Sequence, residues 1–274
     1  MQIRAGYHIT YECPKPTPML LMLSVHPSRL PDLLTPAGII TDPELPLKHY
    51  RDLYGNTCSR LVAPAGRITL ATRFIVEDTG LPDLVEPEVR QVPVEQLPDD
   101  VLVYLLPSRY CQSDELADFA FEQFGGVQPG WSRVQAISEW VHGHIGFDYG
   151  KASPTFTAVD VLASGHGVCR DFTHLGVALC RALNIPTRYV FGYLPDIGVP
   201  DPGLPMDFCA WLEVFLGERW FTFDPRNHQH RIGRTVIGRG RDAADVAMVT
   251  TFGHVDLRSM TVVAEEVSAS PAPS

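Results

Sequence analysis

The feature that most constrains the fold is a change of hydrophobic pattern across a stretch rich in proline and acidic residues. Before residue 82, apolar segments alternate like strands and are separated by turns rich in Pro, Gly and Asn. Residues 82–100 hold four prolines and six acids against one arginine, which predicts an exposed connector. After the connector, apolar residues recur at helical spacing and then return to strand spacing. We therefore expect an α+β protein in which an all-β, sandwich-like domain precedes a core of helices packed on an antiparallel sheet.

The pattern also predicts the individual elements. The strands of the β-sandwich are expected at Ile3–Tyr11, Met19–Val25, Arg60–Ala63 and Ile68–Val76. Three helices are predicted to begin near Ser113, Trp131 and Cys169. The later strands are predicted at Thr187–Tyr193, Cys209–Leu216, Trp220–Asp224 and Thr261–Glu266. The resulting division is a β-domain over residues 1–81, a connector over 82–103, a core over 104–267 and a disordered tail over 268–274.

Charge and cysteine content exclude several function classes. The chain has 22 Lys+Arg against 32 Asp+Glu, a net charge of −10, which argues against nucleic acid or an anionic membrane as the main partner. The six cysteines include no C-x-x-C pair, so a zinc ribbon is excluded and free thiols in a reducing compartment are expected. We see no apolar core of a signal peptide and expect a cytoplasmic protein without a cofactor or metal. Oligomeric state is left open.

A glycine-rich turn that delivers a cysteine to a helix start is the sharpest chemical signal, in Ser164-Gly165-His166-Gly167-Val168-Cys169-Arg170-Asp171. The dipole and the unpaired N–H groups of a helix N-terminus favour a thiolate at Cys169. The same N–H groups could stabilise an oxyanion. The alternative interpretation is a buried cysteine that packs at the start of a core helix.

A hairpin in the core brings further polar groups together. A two-residue turn at Gly217-Glu218 places Leu216 opposite Arg219. Cys209 and Asp224 then become diagonal neighbours on one face, roughly 7–8 Å apart. That face carries a thiol, carboxylates and an indole, whereas the other face is apolar. Such a face is more polar than a purely structural hairpin requires.

With these motifs in this order, the chain resembles the transglutaminase-like superfamily of papain-type thiol enzymes. The matching stretches are Gly167–Phe172, Arg188–Tyr193, Asp207–Val214 and Trp220–Pro225. Residues 1–80 look like the β-domain that often precedes this core in bacterial members. In the family, a Cys at a helix N-terminus is the nucleophile, a His on the next strand is the base, and an Asp on the hairpin partner orients the His. The resemblance implies that Cys169 is the nucleophile and Asp224 the orienting acid. We expect substrate contacts from Trp211, Asp207 and Gly167.

The base departs from the family pattern. The family's D-x-H-A-W reads Asp207-Phe208-Cys209-Ala210-Trp211, so Cys209 stands where the His is expected. A thiol does not shuttle protons near neutral pH as an imidazole does. One hypothesis is therefore that another histidine supplies the base. His228 would reach Cys209 if its strand continued past Pro225, and His166 in the turn before Cys169 is the second candidate.

Two other hypotheses stay open at this point. The protein could keep the cleft as a binding or scaffold module without thiol chemistry. Alternatively, Cys169 and Cys209 could form a redox-sensitive pair or a zinc site completed by Asp224 or His228. A cluster of arginines could bind a carboxylate or phosphate, although a solvated face paired with acids is the expected state of Arg231, Arg234, Arg239 and Arg241. The function that we expect is hydrolysis of a peptide, protein or small amide, or acyl transfer from it, through a Cys169 thioester.

Overall fold

A computed structural model describes residues 1–200 and 202–267. Its strands are β1 (Gln2–Cys13), β2 (Thr17–Leu21), β3 (Ile40–Asp42), β4 (Lys48–Arg51), β5 (Thr57–Ala63), β6 (Gly66–Glu77), β7 (Gly146–Phe147), β8 (His166–Gly167), β9 (Thr187–Tyr193), β10 (Cys209–Leu216), β11 (Arg219–Phe223), β12 (Thr235–Gly240), β13 (Val249–Thr251) and β14 (Asp256–Glu266). The α-helices are α1 (Ala117–Phe124), α2 (Trp131–His144), α3 (Ala158–Ser164) and α4 (Cys169–Ala182). Short 3-10 helices lie at Pro27–Asp32, Val94–Gln96, Asp99–Leu105 and Tyr149–Lys151.

The β-rich region consists of two antiparallel four-stranded sheets, with strand orders β14-β1-β6-β3 and β13-β2-β5-β4. Along β6, buried and more exposed residues alternate, as expected for a strand with one face on a core. Both sheets contribute to one apolar cluster, which includes Ile3, Ile9, Met19, Leu21 and Ile68. This shared core confirms the expected sandwich-like arrangement.

Two strands near the C-terminus join these sheets. β14 pairs with β1, with Ile3 opposite Glu266, and β13 pairs with β2, with Leu21 opposite Val249. The sequence prediction placed Thr261–Glu266 with the strands of the core, so the position of this strand differs from the prediction. The division into domains itself stays a prediction, and the predicted tail over residues 268–274 lies outside the described residues.

The core packs its helices on the antiparallel sheet β11-β10-β9-β12. The predicted helix starts at Trp131 and Cys169 are confirmed, whereas α1 begins at Ala117 rather than near Ser113. α4 is buried along most of its length against α1, α2, α3, β9 and β10. The predicted strand limits of β9 and β10 are also confirmed. The sequence did not predict α3 or β12.

The hairpin formed by β10 and β11 has the predicted register. Leu216 faces Arg219 and Glu213 faces Thr222. β11 ends at Phe223, and the following residues form a turn in which the His228 N–H donates to the Asp224 carbonyl oxygen at 2.7 Å. The strand therefore ends before Pro225. The hypothesis of His228 as base requires the opposite, a strand that continues past this proline.

The stretch over residues 82–100 is mostly exposed, as predicted for a connector. It is anchored by Asp83, whose side chain is largely buried, and by Leu97, which packs with Val101 and Phe215. Across the described part of the chain, no helix combines the length and the apolar character that crossing a bilayer requires.

Candidate active site

The local sequence places Cys169 on the first residue of α4. Gly165 ends α3 in the left-handed conformation (φ 67°), and the extended Val168 leads into the next helix. The Val168 N–H donates to Asp171 Oδ2 at 2.9 Å, and the fully buried Asp171 carboxylate also pairs with Arg170 at 2.9 Å. This capping fixes the start of α4, so that the Cys169 sulfur lies at the positive end of the helix dipole.

Gly167 allows a close approach of backbone and side chain. A Cβ at this position would lie 2.5 Å from the Asp171 Cβ, which is closer than real carbon contacts. Gly167 is buried and does not line the adjacent cleft. Gly167 therefore serves the packing of the helix cap, and the predicted substrate contact at this residue stays a prediction.

Cys209 begins β10, and its side chain interacts with that of Cys169. The interaction with the Cys209 thiol is the main cause that lowers the pKa of the Cys169 thiol, burial opposes the shift, and the Ala210 N–H lowers the pKa further. The hydrogen bond that the Cys209 thiol makes in the structure is donated to the Ala210 carbonyl oxygen at 3.5 Å. The contact between the two thiols, together with burial, raises the pKa of Cys209 well above its usual value. The N-terminus of α4 acts in the same direction, because its dipole favours a thiolate at Cys169, whereas Cys209 lies at the start of a strand.

The buried carboxylate of Asp224 is fully engaged by other partners. Asp224 Oδ2 accepts from Arg234 Nη2 at 3.0 Å and from Asn227 Nδ2 at 2.8 Å. Its Oδ1 accepts from the Asn227 backbone N–H at 2.9 Å. No histidine in the described ranges donates to this carboxylate. An arginine therefore holds the acid that the resemblance implies would orient an imidazole.

Arg234 is buried between two acids. Its Nε lies 3.0 Å from Asp83 Oδ1, and its guanidinium lies 4.9 Å from the ring centroid of Trp211. Trp211 is fully buried, does not line the cleft, and its Nε1 has no hydrogen-bond partner in the described part of the protein. The expected substrate contact by Trp211 stays a prediction, and in this structure the residue lies behind the cleft surface. Its ring packs under an arginine that forms ion pairs with both Asp83 and Asp224.

His228 does not approach the two thiols. It has a left-handed backbone (φ 50°), and its ring stacks on His142 with centroids 4.9 Å apart. The neighbouring Asn227 and Gln229 line the cleft, whereas His228 does not. The turn after β11 therefore directs this ring away from Cys209, which contradicts the hypothesis of His228 as base.

His166 is also engaged elsewhere. Its Nδ1 donates to the Ser164 carbonyl oxygen at 2.7 Å, and its Nε2 accepts from Lys151 Nζ at 3.2 Å. The assignment follows because a carbonyl oxygen can only accept. His166 does not line the cleft, so neither proposed histidine replaces the missing base.

A cleft of about 340 Å³ opens beside the two sulfurs, which both line it. The loop between β9 and β10 forms one wall and contributes Leu194, Asp196, Val199, Pro200, Pro202, Leu204, Pro205, Met206, Asp207 and Phe208. Asp207 lines the cleft, and burial raises the pKa of its carboxyl group. Its contact with a substrate stays a prediction. Phe147, Tyr149 and Arg226 line the cleft as well. The cleft is large enough for a side chain or a short peptide segment.

The zinc hypothesis finds no support in the described residues, among which no group of three or more His, Cys, Asp or Glu side chains is placed to hold a metal ion. All six cysteines are free, and only Cys169 and Cys209 among them are not fully buried. The contact between these two thiols leaves the redox-sensitive pair as a prediction.

Comparison with known proteins identifies the fold. The sequence profile of the Transglutaminase-like superfamily matches residues 117–225. The crystal structure of a "putative cysteine protease" from Cytophaga hutchinsonii superposes with a TM-score of 0.85 and 30% sequence identity, covering 100% of this chain and 93% of that one. Residues 117–225 therefore form a domain of the transglutaminase-like superfamily.

Two mycobacterial proteins are similar in sequence to the chain that carries this domain. An uncharacterized protein of Mycobacterium leprae is 26% identical over 208 residues, which are 72% of this chain and 73% of the relative. An uncharacterized protein of Mycobacterium bovis is 30% identical over 145 residues, which are 49% of this chain and 46% of the relative. The match therefore spans about half the length of the second relative.

Sequence reasoning missed several residues of this transglutaminase-like site. Arg234 was visible only as one member of an arginine cluster, and its partner Asp83 lies 151 residues away. The expectation that these arginines pair with acids is confirmed, but Arg231 and Arg234 are buried rather than solvated. Arg226 directly follows the matching motif Trp220–Pro225 in sequence. This position, two residues after Asp224, is the sequence signal that could have identified Arg226 as a site residue.

Proposed function

We propose that the protein is a cysteine-dependent acyl-transfer enzyme in which Cys169 is the nucleophile and no imidazole acts as base. The observation that carries this proposal is the position of the Cys169 sulfur, at the start of α4 and on the wall of the cleft. The lowered pKa of Cys169 supports it, because a lower pKa increases the thiolate fraction and reduces the need for a base. The resemblance to a "putative cysteine protease" agrees with this class of chemistry.

In the first step, the Cys169 thiolate attacks the carbonyl carbon of a peptide or small amide. The C–S bond forms, the C–N bond breaks, and the leaving nitrogen takes the proton of the Cys209 thiol. The products are a Cys169 thioester, a free amine and a Cys209 thiolate. Backbone N–H groups in the first turn of α4 are the donors available to the oxyanion.

In the second step, water or an amine attacks the thioester. Its proton passes to the Cys209 thiolate, and Cys169 leaves as a thiolate, which restores the starting state. Acylation removes the negative charge beside Cys209, so the pKa of Cys209 falls and its thiolate can persist until the acceptor arrives. Because the resting pKa of Cys209 lies well above neutrality, we expect slower turnover than an imidazole would give.

Water is the acceptor that we favour, which makes the reaction a hydrolysis without a cofactor. Asp224 stabilises the cleft through Arg234 and Asn227 in this proposal and does not orient a base. We infer a cytoplasmic location from the six free cysteines, since thiols persist in a reducing compartment. Peptides, proteins and small amides are the proposed substrates.

The decisive experiment measures the pH dependence of iodoacetamide alkylation at Cys169 by peptide mass spectrometry, with Cys209 as internal comparison. We expect Cys169 to react with a midpoint clearly below the ~8.5 of a free thiol, and Cys209 to react only at higher pH. p-Nitrophenyl acetate should acetylate Cys169, and a Cys169→Ala variant should take up no acetyl group in the same peptide. Ordinary alkylation behaviour together with no acetylation would exclude the thiol-enzyme proposal.

A binding module is the second candidate function. The observation that favours it is the engagement of Asp224 by Arg234, which leaves the described site without an imidazole between acid and thiol. A module of this kind would bind peptides in the cleft with Cys169 unreactive. Unchanged peptide binding in a Cys169→Ala variant, combined with unreactive Cys169 in the native protein, would support this candidate.

A further inference from the structure

Arg226 is a cation of the cleft without an acidic partner. It lies on the cleft wall, and no carboxylate of the described residues is within ion-pair distance of its guanidinium. A guanidinium has five N–H donors, of which one is used here, in a bond from Arg226 Nη1 to Asn227 Oδ1 at 2.8 Å. The remaining donors are available to a ligand.

The position of this guanidinium is fixed by its surroundings. It lies 4.3 Å from the ring centroid of Phe147, a distance typical of a cation–π contact. Asn227, which accepts from Arg226, is itself held by two hydrogen bonds to Asp224. Because the guanidinium is held from both sides, it can bind an anion with little loss of side-chain entropy.

Arg226 lines the same cleft as the two thiols, together with Tyr149. Burial raises the pKa of Tyr149, and the charges of Asp207 and Cys169 act in the same direction, whereas the charge of Arg226 opposes them. A substrate in the cleft therefore has both the Cys169 sulfur and the Arg226 guanidinium on the surrounding wall.

The other charged groups of the cleft do not offer a second anion site. Arg231 donates to Asp196 at 2.6 Å and to the Pro195 carbonyl oxygen at 2.8 Å, so its cation is compensated. Asp207 would repel an anion, although burial favours its neutral form. Recognition of an anion is thus directed to the side of the cleft that carries Arg226.

We infer that Arg226 forms a carboxylate-binding subsite and that the acyl donor of this enzyme carries a carboxylate close to the scissile bond. The planar fork of Arg226 would bind the two carboxylate oxygens in a bidentate arrangement. The statement that the ligand is an acyl donor rests on the proposed function. The carboxylate subsite itself can be tested without turnover.

The test compares two alkylating probes of nearly equal shape, N-iodoacetylglycine and N-iodoacetylglycinamide, which differ in the charge of their terminal group. The measured quantity is the second-order rate constant of the carboxylate probe at Cys169 divided by that of the amide probe. The same ratio is measured for the small uncharged thiol N-acetylcysteamine in solution. We expect the ratio at Cys169 to be about tenfold higher, which corresponds to about 1.4 kcal/mol. High salt should lower the ratio.

An Arg226→Gln variant should bring the ratio close to that of N-acetylcysteamine, and an Arg226→Lys variant should keep part of it. Arg219→Gln is the matched control, because Arg219 lies at the exposed end of the hairpin and pairs with Glu86. A ratio equal to that of the small thiol in the native protein, or one unchanged by Arg226→Gln, would overturn the subsite. Failure of the proposed function would appear separately, as slow reaction of Cys169 with both probes.

Discussion

Replacement of Arg234 by glutamine should destabilise the protein strongly. The Arg234 side chain is 7% exposed and lies between Asp83 and Asp224, whose side chains are 10% and 1% exposed. Removing one partner of a buried ion pair costs about 3–5 kcal/mol, because the remaining charge stays buried. Asp224 keeps its bonds from Asn227, and Asp83 keeps the Arg231 N–H at 2.9 Å. We therefore expect the lower end of this range, about 3 kcal/mol of unfolding free energy.

Urea unfolding followed by tryptophan fluorescence measures this loss, which should lower the midpoint by about 1 M if the urea dependence is about 3 kcal/mol/M. A double variant with Asp83→Asn should lose less than the sum of the single variants. Arg219→Gln at the exposed pair with Glu86 should change stability by less than about 1 kcal/mol. A loss below about 0.5 kcal/mol for Arg234→Gln would refute the reasoning.

Three further outcomes are expected. Cys209→Ala removes the thiol that lowers the pKa of Cys169, so this pKa should rise and alkylation of Cys169 at neutral pH should slow. Cys209→Ser keeps a hydrogen-bond donor and should react at a rate close to that of the native protein. Equal rates for the native protein and both variants would contradict the assignment of the thiolate to Cys169. Gly167→Ala forces a contact with Asp171 and should cost about 1–3 kcal/mol, read as a lower melting temperature; an unchanged value would show that the cap can shift. Glutathione disulfide should oxidise Cys169 and Cys209 to a disulfide and be reduced to two glutathione thiols. The disulfide should protect both cysteines from alkylation. Persistent alkylation of both would exclude the redox pair.

The parts of the site that depend on local sequence were predictable. The start of α4 at Cys169 follows from a glycine turn and a helical apolar pattern, both of which are local signals. The register of the hairpin follows from the length of its turn, which places Leu216 opposite Arg219. These local signals place Cys169 at a helix start and Cys209 on the hairpin, whereas the proximity of the two was implied only by the resemblance to the family.

The parts that depend on distant contacts were not predictable. The pairing of Asp224 with Arg234 depends on where the chain runs after β11, and a buried arginine looks like a solvated one in sequence. Likewise, the alternation in β14 predicts a strand but does not indicate its partner β1. The prediction that His228 is the base was wrong for a related reason. It assumed that the side-chain alternation of β11 continues to His228, whereas the left-handed backbone of His228 turns its ring away from Cys209.

The pairing of β1 with β14 has a consequence for the order in which the protein folds. Ile3 acquires its neighbour Glu266 only when nearly the whole chain has been synthesised, whereas α4, β9 and β10 lie close together in sequence. On the ribosome, the helical core and its sheet can therefore form first, while β1 and β2 each wait with an open edge. Open strand edges promote association between chains. Nascent protein truncated before β13 should for this reason aggregate through its N-terminal strands rather than through the core.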